Sequence, residues 1–459
     1  MRTDPREISR RRFVATLAGA ATLGRVSARA VAAARPVPSR QQVAWQRDEL
    51  AIFLHFGVNT FTDREWGDGT ENPAIFAPAA LDARQWTRAA HAAGAKAAIL
   101  TAKHHDGFCL WPTKLTSHSV ASSPWRGGRG DLVREFVDAC RADGLKPGLY
   151  LSPWDRHEPR YGDSPRYNDF YCDQLTELLT HYGEIHEVWF DGANGEGPNG
   201  KKQEYDWPRV WSLVRRLQPN AVMFSDAGPD ARWIGNERGV AGDPNWSTVD
   251  PAVVPVPGAS GRAVRAMLQN GDSAGSVWRA GEADVSIRPG WFNHPAEDAR
   301  VKTVDALVDL YFSSVGRNAK LLLNVPPTRD GLLHDTDVAR LAGMRTAIDR
   351  MFAENLAAHR RARWQVTGNR TATLDVDLGA PAAVGLVDLR EDITRGQVIA
   401  RYTIEGRTDG DWQTLAQGTT IGCRKLDRCE PVTSRHLRVT IADAVDMPRP
   451  IELGVYRRA

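Results

Sequence analysis

The sequence predicts a (β/α)8-like barrel of the α/β class, followed by a C-terminal antiparallel β-sandwich. Between residues 50 and 356, apolar runs of strand-like composition alternate with helical patterns, which is typical of a parallel barrel. Five of these runs end on polar or aromatic residues, at the position where parallel barrels build their active sites. Beyond residue 360 the helical patterns give way to short alternating runs separated by turn residues, as in a β-sandwich.

The first half of the barrel is the more regular part of the pattern. Its predicted strands are five apolar runs, at residues 52–57, 97–102, 148–151, 187–190 and 221–225. The predicted helices between them span about residues 81–93, 131–144, 168–182 and 206–217. Asp131 suits the first turn of its helix, because a carboxylate is favourable near a helix N-terminus.

Periodicity weakens between residues 227 and 295, where we expect loops together with strands six and seven. It returns in a helix over 303–314, an eighth strand over 320–325 and a final helix over 338–356. The domain prediction is therefore a catalytic barrel over 36–357 and an antiparallel β-sandwich over 358–459.

Residues 1–35 read as a targeting segment. Ser9-Arg10-Arg11-Arg12-Phe13 is a twin-arginine pattern, followed by an Ala/Gly-rich apolar stretch and by small residues that offer a cleavage site. The apolar stretch is too short for a membrane anchor. We expect export by the twin-arginine route to the periplasm or the extracellular space.

The remaining chain carries a slight negative charge. The first 35 residues hold eight of the 59 basic and two of the 56 acidic residues, which leaves 51 basic and 54 acidic. This balance argues against nucleic acid as a partner. Five cysteines include Cys423 and Cys429, whose spacing allows a bridge without proving one.

Asp191 follows a buried-looking strand and occupies the position at which a barrel carries a central catalytic carboxylate; a capping role for the following loop is the alternative. His104 and His105 are adjacent, so both can reach one pocket only at the irregular end of a strand. Metal ligation is a rival interpretation, but barrel metallohydrolases typically begin with His-x-His. Neutral histidines that bind sugar hydroxyls, with His55 as a third, fit better.

Tryptophans in predicted loops at the same barrel end are candidate stacking platforms for sugar rings, although core packing is the default for any one of them. They are Trp66, Trp111, Trp125, Trp154, Trp233 and Trp291. Glu237, in the loop beyond strand five, is a candidate general acid; an ordinary solvated glutamate is the alternative.

The motifs together, in this order over about residues 45–355, resemble the glycoside hydrolase family 29 α-L-fucosidases. They are Leu54-His55-Phe56-Gly57, Glu65-Trp66-Gly67, Lys103-His104-His105-Asp106-Gly107-Phe108, Tyr150-Leu151-Ser152-Pro153-Trp154, Trp189-Phe190-Asp191-Gly192, Arg232-Trp233 and Leu322-Leu323-Asn324-Val325-Pro326-Pro327.

The resemblance implies a role for each matched residue. Asp191 matches the nucleophile of the family. The positions that match its fucose-holding residues are His55, Glu65, Trp66, His104, His105, Tyr150, Arg232 and Trp291. Two segments look like the family branch that acts on α-1,3- and α-1,4-linked fucose: residues 150–155 and Gly235-Asn236-Glu237. The first segment adds Trp154 to the candidate substrate-binding residues. In that branch the glutamate that matches Glu237 is the acid/base. Glu282 is a second candidate for that role, and Arg232, if close, would keep Asp191 ionised.

The resulting hypothesis is an exported, retaining α-L-fucosidase that needs no cofactor and acts on fucosylated oligosaccharides or glycans. A metal-dependent barrel hydrolase using His104, His105 and Asp191 is one alternative. A carbohydrate-binding protein without catalysis is the other. The sequence does not determine the oligomeric state.

Overall fold

The computed structural model describes residues 35–408 and 410–458. The predicted twin-arginine segment, residues 1–35, lies outside the described residues except for Arg35.

Eight parallel strands close into a barrel in the order β1-β2-β3-β4-β5-β6-β9-β10, which confirms the predicted fold class. Their bounds are β1 Leu50–Leu54, β2 Ala97–Lys103, β3 Lys146–Leu151, β4 Glu187–Trp189, β5 Val222–Phe224, β6 Ala231–Trp233, β9 Ala280–Ser286 and β10 Ala319–Asn324. A short antiparallel pair, β7 Thr248–Val249 and β8 Val277–Trp278, lies beside the barrel. Nearly every barrel-strand residue is buried, because helices cover the outer face and side chains fill the interior.

The helices begin where the sequence supplies caps. Their bounds are α1 Arg40–Arg47, α2 Val58–Thr62, α3 Ala83–Ala92, α4 Leu132–Ala142, α5 Ser164–His181, α6 Trp207–Leu217, α7 Arg262–Asn270, α8 Val304–Ser314 and α9 Asp335–Met351. Asp82, Asp131, Asp206 and Thr303 each accept a backbone N–H in the first turn of the helix that follows. The expected N-terminal role of Asp131 is thus confirmed.

Three helices, α1, α2 and α7, were not predicted. α7 carries Val264, Met267 and Leu268 at helical spacing, but it lies in the region that was expected to hold only loops and strands. α1 buries Gln42 and Gln46 beside Val43 and Trp45, which hides its amphipathic character. The reciprocal capping box between Ser39 and Gln42 was the available signal for α1. Among the predicted elements, α9 ends at Met351 rather than near Leu356.

The barrel interior contains a buried ionic cluster beneath the active-site end. Lys320 Nζ lies 2.6 Å from Glu187 Oε2 and 3.3 Å from Glu282 Oε2. The Trp45 indole N–H donates to Glu187 Oε2 at 2.8 Å, and the Trp189 indole N–H donates to Glu282 Oε1 at 3.0 Å. Polar groups therefore link α1 to the layer of side chains that supports the active site.

The C-terminal residues form one six-stranded antiparallel sheet, in line with the predicted β-sandwich. Its strands are β11 Ala362–Gly368, β12 Thr371–Arg390, β13 Ile399–Thr408, β14 Asp411–Gly418, β15 Lys425–Ala444 and β16 Glu452–Tyr456. β12 and β15 are each 20 residues long, and register shifts interrupt their pairing after Asp377 and Val384. Alternate side chains from these strands build a separate apolar core.

Arg424 joins this sheet to the barrel, because its guanidinium contacts Glu49 Oε2 at 2.8 Å. All five cysteines are free and buried, so Cys423 and Cys429 do not form the bridge that their spacing allowed. Among residues 35–408 and 410–458, none of the helices combines the length and the apolar character needed to traverse a lipid bilayer.

Candidate active site

A cavity of about 590 Å³ opens at the carboxyl ends of the barrel strands. Its size falls in the range of small-molecule sites. The side chains that line it, other than glycine, alanine and proline, are Phe53, His55, Glu65, Trp66, His104, His105, Trp189, Asp191, Phe224, Asp226, Trp233, Glu237, Asp284 and Trp291.

Asp191 lies two residues beyond β4 and is held by three groups. Its Oδ1 accepts the Ala193 N–H at 2.6 Å, and its Oδ2 accepts the Tyr150 hydroxyl at 3.2 Å. His105 Nε2 lies 3.8 Å from Oδ2. The side chain is 27% exposed, so the carboxylate is both fixed in orientation and open to a ligand.

The three histidines form one wall of the cavity. β2 ends at Lys103, and the irregular backbone beyond it lets His104 and His105 both face the cavity, as expected. His55 Nδ1 lies 2.8 Å from Asn324 Oδ1, and His105 Nδ1 lies 2.7 Å from Ser152 Oγ. The ring centroids of His55 and His104 are 5.5 Å apart.

These histidines are neutral. Burial is the main cause: it lowers the pKa of His55 to about 3, the pKa of His104 well below its ordinary value, and the pKa of His105 in the same direction. Neutral imidazoles both donate and accept hydrogen bonds, which suits a ligand rich in hydroxyl groups.

Glu237 lies in the turn after β6 and faces the same cavity as Asp191. Its Oε2 accepts the Trp291 indole N–H at 3.3 Å. Burial raises the pKa of Glu237, and the charges of Asp191 and Glu65 add to that increase. A carboxyl group of this kind can hold a proton for transfer.

Glu65 and Trp66 contribute another wall. Glu65 accepts the backbone N–H groups of Trp291 and Phe292 and so ties its own loop to theirs. The Trp66 side chain is 55% exposed. Large apolar side chains are seldom exposed to this extent except at a binding surface. The Trp66 ring meets those of His105 and Trp154 edge to face.

Five cavity residues had been given no role, the first of which is Phe53 on β1. Trp189 precedes Asp191 by two positions and therefore shares its face of the chain, a signal that period-two counting would have given. Asp226 lies two residues beyond β5, as Asp191 does beyond β4, and burial raises the pKa of Asp226 to about 6. Phe224 precedes Asp226 by two positions, as Trp189 precedes Asp191, and it also lines the cavity.

Asp284 is the last of the five. It shares the inward face of β9 with Glu282, one layer nearer the cavity. Its Oδ1 accepts the Trp233 indole N–H at 2.7 Å. Burial and the nearby charge of Glu237 raise the pKa of Asp284 well above its ordinary value.

Arg232 does not line the cavity, and the prediction that it contacts the sugar is wrong. Its hydrogen-bond partners do not include Asp191, so the condition for keeping Asp191 ionised is not met. Ala231 and Trp233 face into the barrel, so Arg232 between them faces outward. Its guanidinium is buried and donates to the carbonyl groups of Leu268 and Arg279 and to Asn245 Oδ1.

Other predicted residues lie behind the cavity surface. Tyr150 is fully buried and acts on Asp191 through its hydroxyl group. Trp154 packs against His105 with ring centroids 4.9 Å apart and donates its N–H to the Glu196 carbonyl. Trp111 and Trp125 are core residues, so they are not stacking platforms.

Glu282 is also excluded as the acid/base in this arrangement, because it is fully buried beside Lys320 and does not line the cavity. Within the described ranges 35–408 and 410–458, no group of three or more histidine, cysteine or acidic side chains is arranged to hold a metal ion.

The family model described as Alpha-L-fucosidase matches residues 70–349. The chain is also 43% identical to "Alpha-L-fucosidase 1" of Arabidopsis thaliana, over 92% of this chain and 87% of that protein. The chain belongs to the α-L-fucosidase family, glycoside hydrolase family 29. It is thus a glycoside hydrolase with α-L-fucosidase activity, which excludes the non-catalytic alternative.

Solved structures agree with this assignment. A glycoside hydrolase 29 family member from an unknown rumen bacterium superimposes with a TM-score of 0.85 at 40% identity, over 93% of this chain and 78% of that chain. A family 29 fucosidase of Ruminococcus gnavus in complex with fucose superimposes with a TM-score of 0.84 at 33% identity, over 93% and 96%.

Proposed function

We propose that this enzyme is an exported, retaining α-L-fucosidase that removes α-1,3- and α-1,4-linked fucose from branched oligosaccharides or glycans. Asp191 is the nucleophile and Glu237 is the acid/base. The observation that carries this proposal is that both carboxyl groups line one cavity. Burial raises the pKa of Glu237, and the charge of Asp191 adds to that increase. Two carboxyl groups that act in concert at one bond are the requirement for this mechanism.

In the first step an Asp191 oxygen bonds to the anomeric carbon, the glycosidic bond breaks, and Glu237 gives its proton to the departing oxygen. Tyr150 and the Ala193 N–H hold Asp191 in position for this attack. In the second step Glu237 takes a proton from water, whose oxygen displaces Asp191 from the sugar. Loss of the negative charge on Asp191 after the first step lowers the pKa of Glu237 and prepares it to act as a base.

Fucose is held between a polar wall and an aromatic wall. His55, His104 and His105 offer neutral donors and acceptors to its hydroxyl groups. Trp66 and Trp291 provide apolar surface for its methyl group. Discrimination against a sugar with a hydroxymethyl group at that position is limited to about 1–3 kcal/mol.

The nucleophile is tested with Asp191→Ala. We expect turnover to fall by several orders of magnitude, because no covalent intermediate can form. Azide then fills the vacated space and restores turnover with inversion, giving a β-fucosyl azide. Retained activity without azide would exclude Asp191 from this role.

The acid/base is tested with Glu237→Ala on two substrates. An aryl fucoside with a good leaving group needs little protonation, whereas an oligosaccharide needs full protonation. We expect the variant to lose far more activity on the oligosaccharide. Equal losses on both substrates would remove Glu237 from the role.

The linkage preference rests on the resemblance of residues 150–155 and 235–237 to one branch of the family. A panel of α-1,2-, α-1,3-, α-1,4- and α-1,6-fucosylated oligosaccharides, compared by kcat/KM with an aryl fucoside, tests it directly. Preference for α-1,2 or α-1,6 linkages would contradict the proposal. Full activity after exhaustive chelation would exclude the metal-dependent alternative.

Export and domain organisation form the last part of the proposal. We expect residues 1–35 to direct the folded enzyme through the twin-arginine route, with a catalytic domain over 36–357 and a second domain over 358–459. N-terminal sequencing of enzyme recovered outside the cytoplasm tests export. A mature protein that retains its first 30 residues would contradict it.

A further inference from the structure

Two loops of the cavity wall meet at His294. The loop after α2 carries Asp63 and Glu65, and the loop after β9 carries Trp291 and His294. His294 Nδ1 lies 2.8 Å from Asp63 Oδ1, and His294 Nε2 lies 3.0 Å from Glu65 Oε2. The imidazole ring therefore bridges two carboxylates of the opposite loop.

We propose that His294 is a positioning residue for the active site: its imidazolium form fixes Glu65, Glu65 fixes the backbone of Trp291, and Trp291 is thereby held against the sugar site and Glu237. The link from Trp291 to catalysis rests on the proposed function, in which Glu237 is the acid/base. The contacts among His294, Glu65 and Trp291 do not depend on that role.

The charge state of His294 follows from its surroundings. Both ring nitrogens face a carboxylate oxygen, so only the protonated ring can donate to both at once. Burial alone would lower the pKa of His294, but its hydrogen bonds to Asp63 and Glu65 outweigh burial and raise it. The charged groups that act on His294 are Asp63 and Glu65 from the opposite loop and Glu297 from its own segment, and all three are acidic.

Glu65 transmits the contact to Trp291. One carboxylate oxygen accepts the Trp291 backbone N–H, and the other accepts the Phe292 N–H at 3.3 Å beside the His294 ring. On the other side, the Asn324 amide donates to the Trp291 carbonyl at 2.8 Å. Loss of the imidazolium therefore weakens one of two anchors, so Trp291 shifts without the barrel unfolding.

The consequence is a change in sugar binding. The Trp291 ring lies 5.1 Å from the His55 ring and forms the aromatic wall of the cavity. Its indole N–H donates to Glu237 Oε2 at 3.3 Å. We call the hydrogen bonds of the His294 imidazolium to Asp63 and Glu65 the His294 clamp. Because a hydrogen bond to a charged group contributes more than one between neutral groups, we expect KM to rise about tenfold when this clamp is lost.

The sign of the pH effect is fixed by the direction of the pKa shift. His294 has a raised pKa in the folded enzyme, so the imidazolium clamp is complete at acidic pH and is lost as pH rises through that raised value. KM should therefore increase on the alkaline side of the ordinary histidine range.

The experiment measures KM and kcat for an aryl α-L-fucoside from pH 5 to pH 9, in the full chain and in His294→Gln. The aryl substrate is chosen because its cleavage needs little acid assistance, so the result does not depend on whether Glu237 is the acid. We expect the variant to have a KM about tenfold higher at pH 5, nearly independent of pH, with kcat changed less than KM. His91→Gln, at an exposed position in α3, is the matched control and should keep the wild-type profile.

A His294→Gln enzyme with the wild-type KM and the wild-type pH dependence of KM would overturn the proposal. A fall in kcat at constant KM would also overturn it. If the variant does not fold, NMR titration of His294 in the wild-type enzyme decides: a pKa at or below the ordinary histidine value would refute the clamp. Equal losses on both substrates in Glu237→Ala would remove Glu237 from the acid/base role but would not change the outcomes expected for His294→Gln. The two proposals can therefore fail separately.

Discussion

Replacing Lys320 by methionine tests whether the ionic cluster inside the barrel holds the scaffold of the active site. Lys320 is fully buried, with its ammonium group 2.6 Å from Glu187 Oε2 and 4.5 Å from the centre of the Trp45 ring. Burial raises the pKa of Glu282 well above its ordinary value, and the charge of Glu187 adds to that increase. Because Lys320 Nζ lies 2.6 Å from Glu187 Oε2 but 3.3 Å from Glu282 Oε2, the tighter ion pair is the one between Lys320 and Glu187.

Methionine fills most of the lysine volume but leaves Glu187 without its counter-charge. Breaking a buried pair by removing one partner costs about 3–5 kcal/mol, because the remaining charge stays desolvated. At about 1 °C per kcal/mol for a chain of this size, the midpoint of thermal unfolding should fall by about 3–5 °C.

Differential scanning calorimetry of Lys320→Met measures this change, with Lys114→Met at an exposed position as the control, which should leave the midpoint unchanged. The double variant Lys320→Met/Glu187→Gln removes both charges and keeps an amide oxygen to accept the Trp45 N–H. We expect it to recover most of the lost stability. A single variant within about 1 °C of wild type, or a double variant no more stable than the single, would refute this reasoning.

Three further predictions follow from the cavity. Trp66→Ala should raise KM with little loss of stability, whereas Trp111→Ala should lower the free energy of unfolding by about 3–5 kcal/mol and leave KM unchanged; the reverse pattern in kinetics and denaturation would contradict the two assignments. Asp191→Asn removes the nearby charge that raises the pKa of Glu237, so titration of Glu237 by NMR should give a pKa closer to the ordinary value; an unchanged pKa would indicate that the two groups do not interact. Because Asp284 lines the cavity and accepts the Trp233 indole N–H, Asp284→Asn keeps an acceptor for that N–H and should retain kcat/KM far better than Asp284→Ala; equal losses would show that this hydrogen bond is not used.

Many of the cavity residues could be predicted from the sequence, because they lie at the ends of predicted strands. Asp191 and the His104–His105 pair come directly after apolar runs, and a parallel barrel brings the carboxyl ends of its strands together. Sequence reasoning could therefore assign these residues to one cavity although they are far apart in the chain. The same reasoning could not find Asp284, because an acidic residue within a strand carries no mark of the face it occupies.

Arg232 and Trp111 show that sequence reasoning can also assign residues to the site that do not line the cavity. Both are residue types suited to sugar binding, and both lie near the correct end of the barrel. Arg232 faces outward to α7, and Trp111 packs in the core with its indole N–H on Glu177. Residue type and approximate position were not sufficient, because neither reports the direction of the side chain.

The amino-acid sequence by itself determined the barrel, the antiparallel sheet that follows it, the family and most strand-end residues of the cavity, since apolar periodicity and motif order are local properties of a chain. Only the tertiary structure decided which side chains face the cavity and how His294, Glu65, Trp291 and Glu237 are linked. The physical reason is that parallel barrel strands are buried on both faces. Most of their residues are apolar on either side, so alternation in the sequence does not distinguish the interior of the barrel from the surface that meets the helices.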